Sequence, residues 1–162
     1  MGLKWIESGG GPLVLANLSL AGKWCGISGS SVGAALTDYY RACEIEEEIG
    51  IVSVGKGWAV VLGDEPDRTS LLRQGEIIYI LRWRWASSEE SLVQSFIENI
   101  ASMDFFGRNN FLTKSGKHIL FDSACQVVDG CDYLEIDLDG DSWIIDTTLL
   151  EPDQSVCAVV HR

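Results

Sequence analysis

Only two histidines and three prolines occur in 162 residues, and the five cysteines include no Cys-x-x-Cys pair. Two His and dispersed Cys do not give the ligand spacing of a zinc site. An odd number of scattered thiols argues against a disulfide framework, so Cys43, Cys125 and Cys157, set among apolar or small neighbours, read as reduced and buried. Basic residues are also scarce, with 12 Lys and Arg against 24 Asp and Glu, a net charge of −12. No Lys or Arg falls between His118 and His161, while ten carboxylates do. Such a surface repels nucleic acid and anionic membranes, and a partner is expected to be basic or neutral. No apolar run reaches the roughly 18 residues of a membrane span, and the opening MGLKWIES lacks the apolar core of a signal peptide. The expected location is the cytoplasm.

The glycines of SGGGPL lack the Lys-Ser/Thr of a phosphate-binding loop and read as a turn. Ser8, Ser28 and Ser123 show no partner base in the sequence. A Cys-His nucleophile using Cys125 or Cys131 stays open, because such partners meet in space, although neither Cys has basic neighbours. Asp137-Leu138-Asp139-Gly140-Asp141 begins like a calcium loop, but Ser142 and Thr148 stand where Gly and Glu are required. A strand turn explains it better. No cofactor and no metal are expected.

What the chain has is one long structural signal, Glu76 to Ser102. Residues 77–85 alternate, with Ile77, Tyr79, Leu81, Trp83 and Trp85 on one face and Ile78, Ile80, Arg82 and Arg84 on the other. Ser87 and Glu90 then suggest a capping box, and Leu92, Val93, Phe96, Ile97 and Ile100 recur at helical spacing. This predicts a central strand followed by an amphipathic helix over about 88–101, folded back onto the strand's aromatic face. Arg82 and Arg84 are expected to pair with carboxylates of neighbouring strands.

Around this unit the pattern predicts a short helix near Leu18 to Trp24, a strand from Tyr39 to Ile45, and a hairpin of 49–54 with 58–62 across Gly55-Lys56-Gly57. A polar link then leads to the central strand. Two more hairpins are expected, 111–114 with 117–122 across Ser115-Gly116, and 131–138 with 142–149 across Asp139-Gly140. A last strand runs from Val156 to His161. The fold class is α+β, a mainly antiparallel sheet carrying one principal helix, in a single domain over 1–162. A chain of this length buries about 70% of the surface it exposes when unfolded.

WIESGGGPLVL at 5–15, DYYRAC at 38–43, GDEP at 63–66, LRWRWASSEE at 81–90, ILFDSA at 119–124, YLEIDL at 133–138 and LEPD at 150–153, in this order, resemble the bacterial immunity protein 21 family of polymorphic toxin systems. The resemblance implies a cytoplasmic protein without catalytic residues that binds a cognate toxin domain and blocks it. Carboxylates on loops are what a basic toxin surface would meet first. The expected partner-binding residues are Glu46, Glu47, Asp64, Glu65, Asp67, Asp139 and Asp141. An unfamiliar enzyme, or a structural or oligomerisation module, remains an alternative at this level.

Overall fold

The computed structural model describes residues 2–29, 37–63, 65–127 and 130–162. The strands are β1 (Trp5–Ile6), β2 (Leu13–Asn17), β3 (Ile49–Val54), β4 (Gly57–Leu62), β5 (Arg68–Gln74), β6 (Ile77–Trp85), β7 (Phe106–Leu112), β8 (Gly116–Asp122), β9 (Tyr133–Leu138), β10 (Ser142–Asp153) and β11 (Val156–His161). The helices are α1 (Leu18–Ala21), α2 (Asp38–Cys43) and α3 (Glu89–Asn99). The α+β class holds, but the strands form two sheets rather than one, in the orders β1-β5-β6-β11-β10-β7 and β3-β4-β2-β8-β9. The chain divides into two compact units, one comprising residues 1–5, 67–109 and 144–162, the other 6–66 and 110–143.

In the first unit β6 lies between β5 and β11, both antiparallel to it. The apolar stripe of α3 covers the aromatic face of β6, as the two periodicities predict. Leu92 and Phe96 are buried against Tyr79, Leu81, Leu150 and Val160, and the Tyr79 and Phe96 rings meet edge-on at 5.2 Å. Burying each such side chain contributes about 1.5–3 kcal/mol. The helix starts one residue later than the capping box suggests. Ser88 is the cap, its hydroxyl accepting from the Ser91 amide at 3.1 Å. Trp5 stacks edge-on to Trp83 at 5.4 Å, and the Arg68 guanidinium lies over both rings, at 5.4 and 5.3 Å.

The second unit is built on β2, every residue of which is buried. Its flanking strands β4 and β8 bring Val14, Ala16, Val61, Ile119 and Phe121 into one core with Trp24. The Trp24 indole donates to the Ser123 carbonyl at 2.7 Å, so the ring is buried with its polar atom satisfied.

Four expectations need correction. Residues 38–43 form a helix, not a strand: the Thr37 hydroxyl accepts from the Tyr40 amide at 3.0 Å and caps the first turn, and an Asp38–Arg41 ion pair one turn apart supports it. The polar link before β6 is the strand β5, which pairs with β6 from Gln74 opposite Ile77 to Arg68 opposite Trp83. Both later hairpins are absent. β7 and β10 belong to the six-stranded sheet, while β8 and β9 belong to the five-stranded one. The turns at Ser115-Gly116 and Asp139-Gly140 therefore carry the chain from one sheet to the other, with Gly116 and Gly140 at positive φ.

Candidate functional site

Strand register fixes which loops share an end of the five-stranded sheet. Leu13 lies opposite both Leu62 and Asp122, and Leu62 opposite Ile49. The entrance to β3, the exits of β4 and β8, and the entrance to β2 therefore meet at one end. At the other lie the β3–β4 turn, the exit of β2, the entrance to β8 and the exit of β9.

The first end is tightly built. The Asp122 carboxylate accepts from the amides of Gly9 at 2.6 Å and Ala124 at 2.9 Å, and the Ser123 amide donates to the Pro12 carbonyl at 3.0 Å. The Ser8 hydroxyl oxygen accepts from the amides of Gly10 and Gly11, closing the triple-glycine turn. A Cβ on Gly11 would come within 2.4 Å of the Ser123 hydroxyl and 2.7 Å of the Tyr39 ring. The Tyr39 phenol donates to the Gly10 carbonyl at 3.4 Å, and its pKa is raised, chiefly by a hydrogen bond with Cys43 and then by burial. A Cβ on Gly63 would lie 2.0 Å from the Glu47 carbonyl oxygen. The stretches SGGGPL, DYYRAC, FDSA and GDEP thus converge here, although they are scattered along the chain. At the same end Glu46, Glu47 and Glu65 are exposed.

The expected binding carboxylates do not form one face. Asp139 and Asp141 are exposed at the opposite end, beyond β9, where the Asp141 carboxylate accepts from the Ser115 amide at 3.1 Å. Asp67 points inward, its side chain only 11% exposed, 2.9 Å from Arg84 and 3.9 Å from the buried Arg82. The expected partners of the two arginines are carboxylates of neighbouring strands; the partner here lies in the loop just before β5, and the pairing removes Asp67 from the exposed surface. Asp64 lies outside the described residues. Among the described residues, no group of three His, Cys, Asp or Glu side chains could hold a metal ion. The Cys125 thiol is pushed up to about 12 by burial and then by its hydrogen bond with Cys131, the reverse of what activates a nucleophile.

The sequence from residue 4 to residue 156 matches the family model of immunity protein 21. The chain belongs to the immunity protein 21 family. Comparison with curated proteins and with solved structures returns no match. No helix among the described residues is long and apolar enough to cross a membrane.

In this immunity-family chain the opposite end of the sheet holds a feature that sequence reasoning missed. A groove of about 350 Å³ is lined by Leu20, Lys23, Lys56, Trp58, Leu112 and Lys114. Its walls come from α1, the β3–β4 turn and the link from β7 to β8. Asn17 fixes two of them: its side-chain amide donates to the Lys114 carbonyl at 3.2 Å, and its oxygen accepts from the Ser19 amide at 3.0 Å. Thr113 is held by its amide, which donates to the Asp141 carbonyl at 3.0 Å, and by His118 at 2.6 Å. The other His118 nitrogen, Nδ1, faces the Gly116 carbonyl at 2.9 Å. A carbonyl only accepts, so Nδ1 carries the proton and Nε2 accepts from the Thr113 hydroxyl. Burial lowers the His118 pKa and keeps that neutral tautomer.

Proposed function

We propose that this protein binds a cognate toxin domain of a polymorphic toxin system in the cytoplasm and neutralises it by occupancy, without catalysis. The observation that carries this reading is the family match over residues 4–156, which runs through both compact units. For the same reason residues 1–162 are taken to act as one functional domain. The net charge of −12 supports a toxin with a basic surface, since charge complementarity speeds encounter and suppresses wrong partners. The exposed Glu46, Glu47 and Glu65 supply that attraction at one end of the five-stranded sheet, and Asp139 and Asp141 at the other; Asp64 adds a further negative charge in the sequence.

The test is co-expression with the product of the open reading frame immediately upstream of the gene. The reading requires a stable complex and restored growth. A neighbour that is toxic but neither bound nor neutralised would sink it.

A further inference from the structure

Three of the five lysines in a chain of net charge −12 line one groove. The lysines come from separate segments, the residues after α1, the β3–β4 turn and the link into β8, so only the fold brings them together. None of the three ammonium groups has a carboxylate partner among the described residues. Elsewhere lysine is paired, as Lys117 is with Glu135 at 2.9 Å. Beside the polar Asn17, Ser19 and Thr113 the lining includes three apolar side chains: Leu20 is partly buried, while Trp58 is 45% exposed and Leu112 56% exposed. An exposed tryptophan and leucine lining one groove leave apolar surface in water, and side chains of this kind form the energetic centres of protein interfaces.

We propose that this groove is the anchoring site for an acidic, apolar-tipped segment of the toxin, with Trp58 and Leu112 covering the apolar side chain and Lys23, Lys56 and Lys114 meeting the carboxylates beside it. The inference rests on the toxin-binding reading above and adds to it where the complex is held. A volume of about 350 Å³ admits one or two side chains of a loop, not a helix. Lysine ammoniums are flexible point charges that suit carboxylates on a mobile segment, without the fork geometry that arginine imposes. The frame beneath is preorganised: Asn17 ties the Lys114 backbone to the start of α1, and His118 with Asp141 holds Thr113. Division of labour follows. The exposed acidic residues draw a basic toxin in over long range and act on the association rate, whereas the groove supplies the desolvated contact that sets the dissociation rate.

The experiment measures association and dissociation rates of the full chain with the toxin encoded immediately upstream, used in a catalytically inactive form. Four proteins are compared: the wild type, Lys23→Gln/Lys56→Gln/Lys114→Gln, Trp58→Ala, and Glu46→Gln/Glu47→Gln/Glu65→Gln. All substitutions are at exposed positions, and circular dichroism checks that each variant is folded. The groove variants should weaken binding on the order of 100-fold, mostly through faster dissociation. The acidic variant should slow association several-fold, an effect that salt erases in the wild type. Hydrogen exchange should show protection at 17–24, 55–58 and 112–115 on binding. A wild type that binds tightly while both groove variants bind equally well overturns the groove and leaves the toxin reading standing. A groove variant weakened only in association rate assigns the lysines to steering and overturns the anchor. A wild type that fails to bind the toxin removes both.

Discussion

Gly9 and Asp122 stand 113 residues apart, yet the Gly9 amide donates to the Asp122 carboxylate at 2.6 Å. The other oxygen of the same carboxylate takes the Ala124 amide, so one nearly buried side chain closes the glycine turn and shapes the turn after β8. Asp122→Ala leaves both amides without their acceptor and should cost about 2–3 kcal/mol. Asp122→Asn keeps one acceptor and should lose less. Urea unfolding of the three proteins checks this order, and equal midpoints would contradict it.

Gly63 and Gly10 make a matched pair. A methyl group on Gly63 would sit 2.0 Å from the Glu47 backbone oxygen, whereas one on Gly10 would meet nothing within 4 Å. Backbone cannot swing aside as a side chain can. Gly63→Ala should therefore cost about 2 kcal/mol or more, and Gly10→Ala should stay within about 0.5 kcal/mol of the wild type. Thermal melts of the two variants give the comparison directly.

Asp67 holds Arg84 at 2.9 Å and lies 3.9 Å from Arg82, which is 1% exposed. Removing the carboxylate takes a counter-charge away from a buried guanidinium, and breaking a buried ion pair typically costs about 3–5 kcal/mol. Asp67→Ala should thus lose far more stability than Glu65→Ala, although the two carboxylates are nearly adjacent in sequence. Chemical denaturation of both variants decides it; equal losses would mean that Asp67 is not the internal counter-ion.

His161 is buried and bonded to Thr147 at 2.8 Å. Burial, and then the nearby Arg82 charge, lower its pKa from the ordinary 6.5 to about 3. Between those values the unfolded chain binds a proton that the folded chain refuses. The stability contributed is full above pH 6.5 and declines as pH falls toward 3, by up to about 1.4 kcal/mol per pH unit. Urea midpoints from pH 7 to pH 4 should fall more gently in His161→Gln than in the wild type. Parallel curves would show that this imidazole is not the titrating group.

The strand and helix from Ile77 to Asn99 are legible because two periodicities meet at a cap, and each is enforced by burial on one face. Residues 38–43 mislead because two tyrosines and a cysteine suit a strand, while the deciding signal is Thr37, whose hydroxyl caps the turn. The strand β5 was marked by Gly75, whose positive φ makes the tight turn into β6. Ser115-Gly116 and Asp139-Gly140 show the deeper limit. Turn residues specify that the chain bends, not which strand lies alongside afterwards, and here each bend changes sheet. The glycine loop and the FDSA stretch are both visible in sequence, but nothing local announces that they touch. The lysine groove is invisible for the same reason, since its cations become neighbours only through strand register.

β11 lies between β6 and β10, so the middle of the six-stranded sheet is filled by residues Val156–His161. A ribosome-bound chain that stops before Val156 has an open seam there, with the edges of β6 and β10 bare. Neither compact unit is continuous in sequence, so each sheet closes only when segments far apart in the chain meet. Trimming back past Val156 would bare both of those edges and leave an aggregation-prone sheet rather than a smaller stable one.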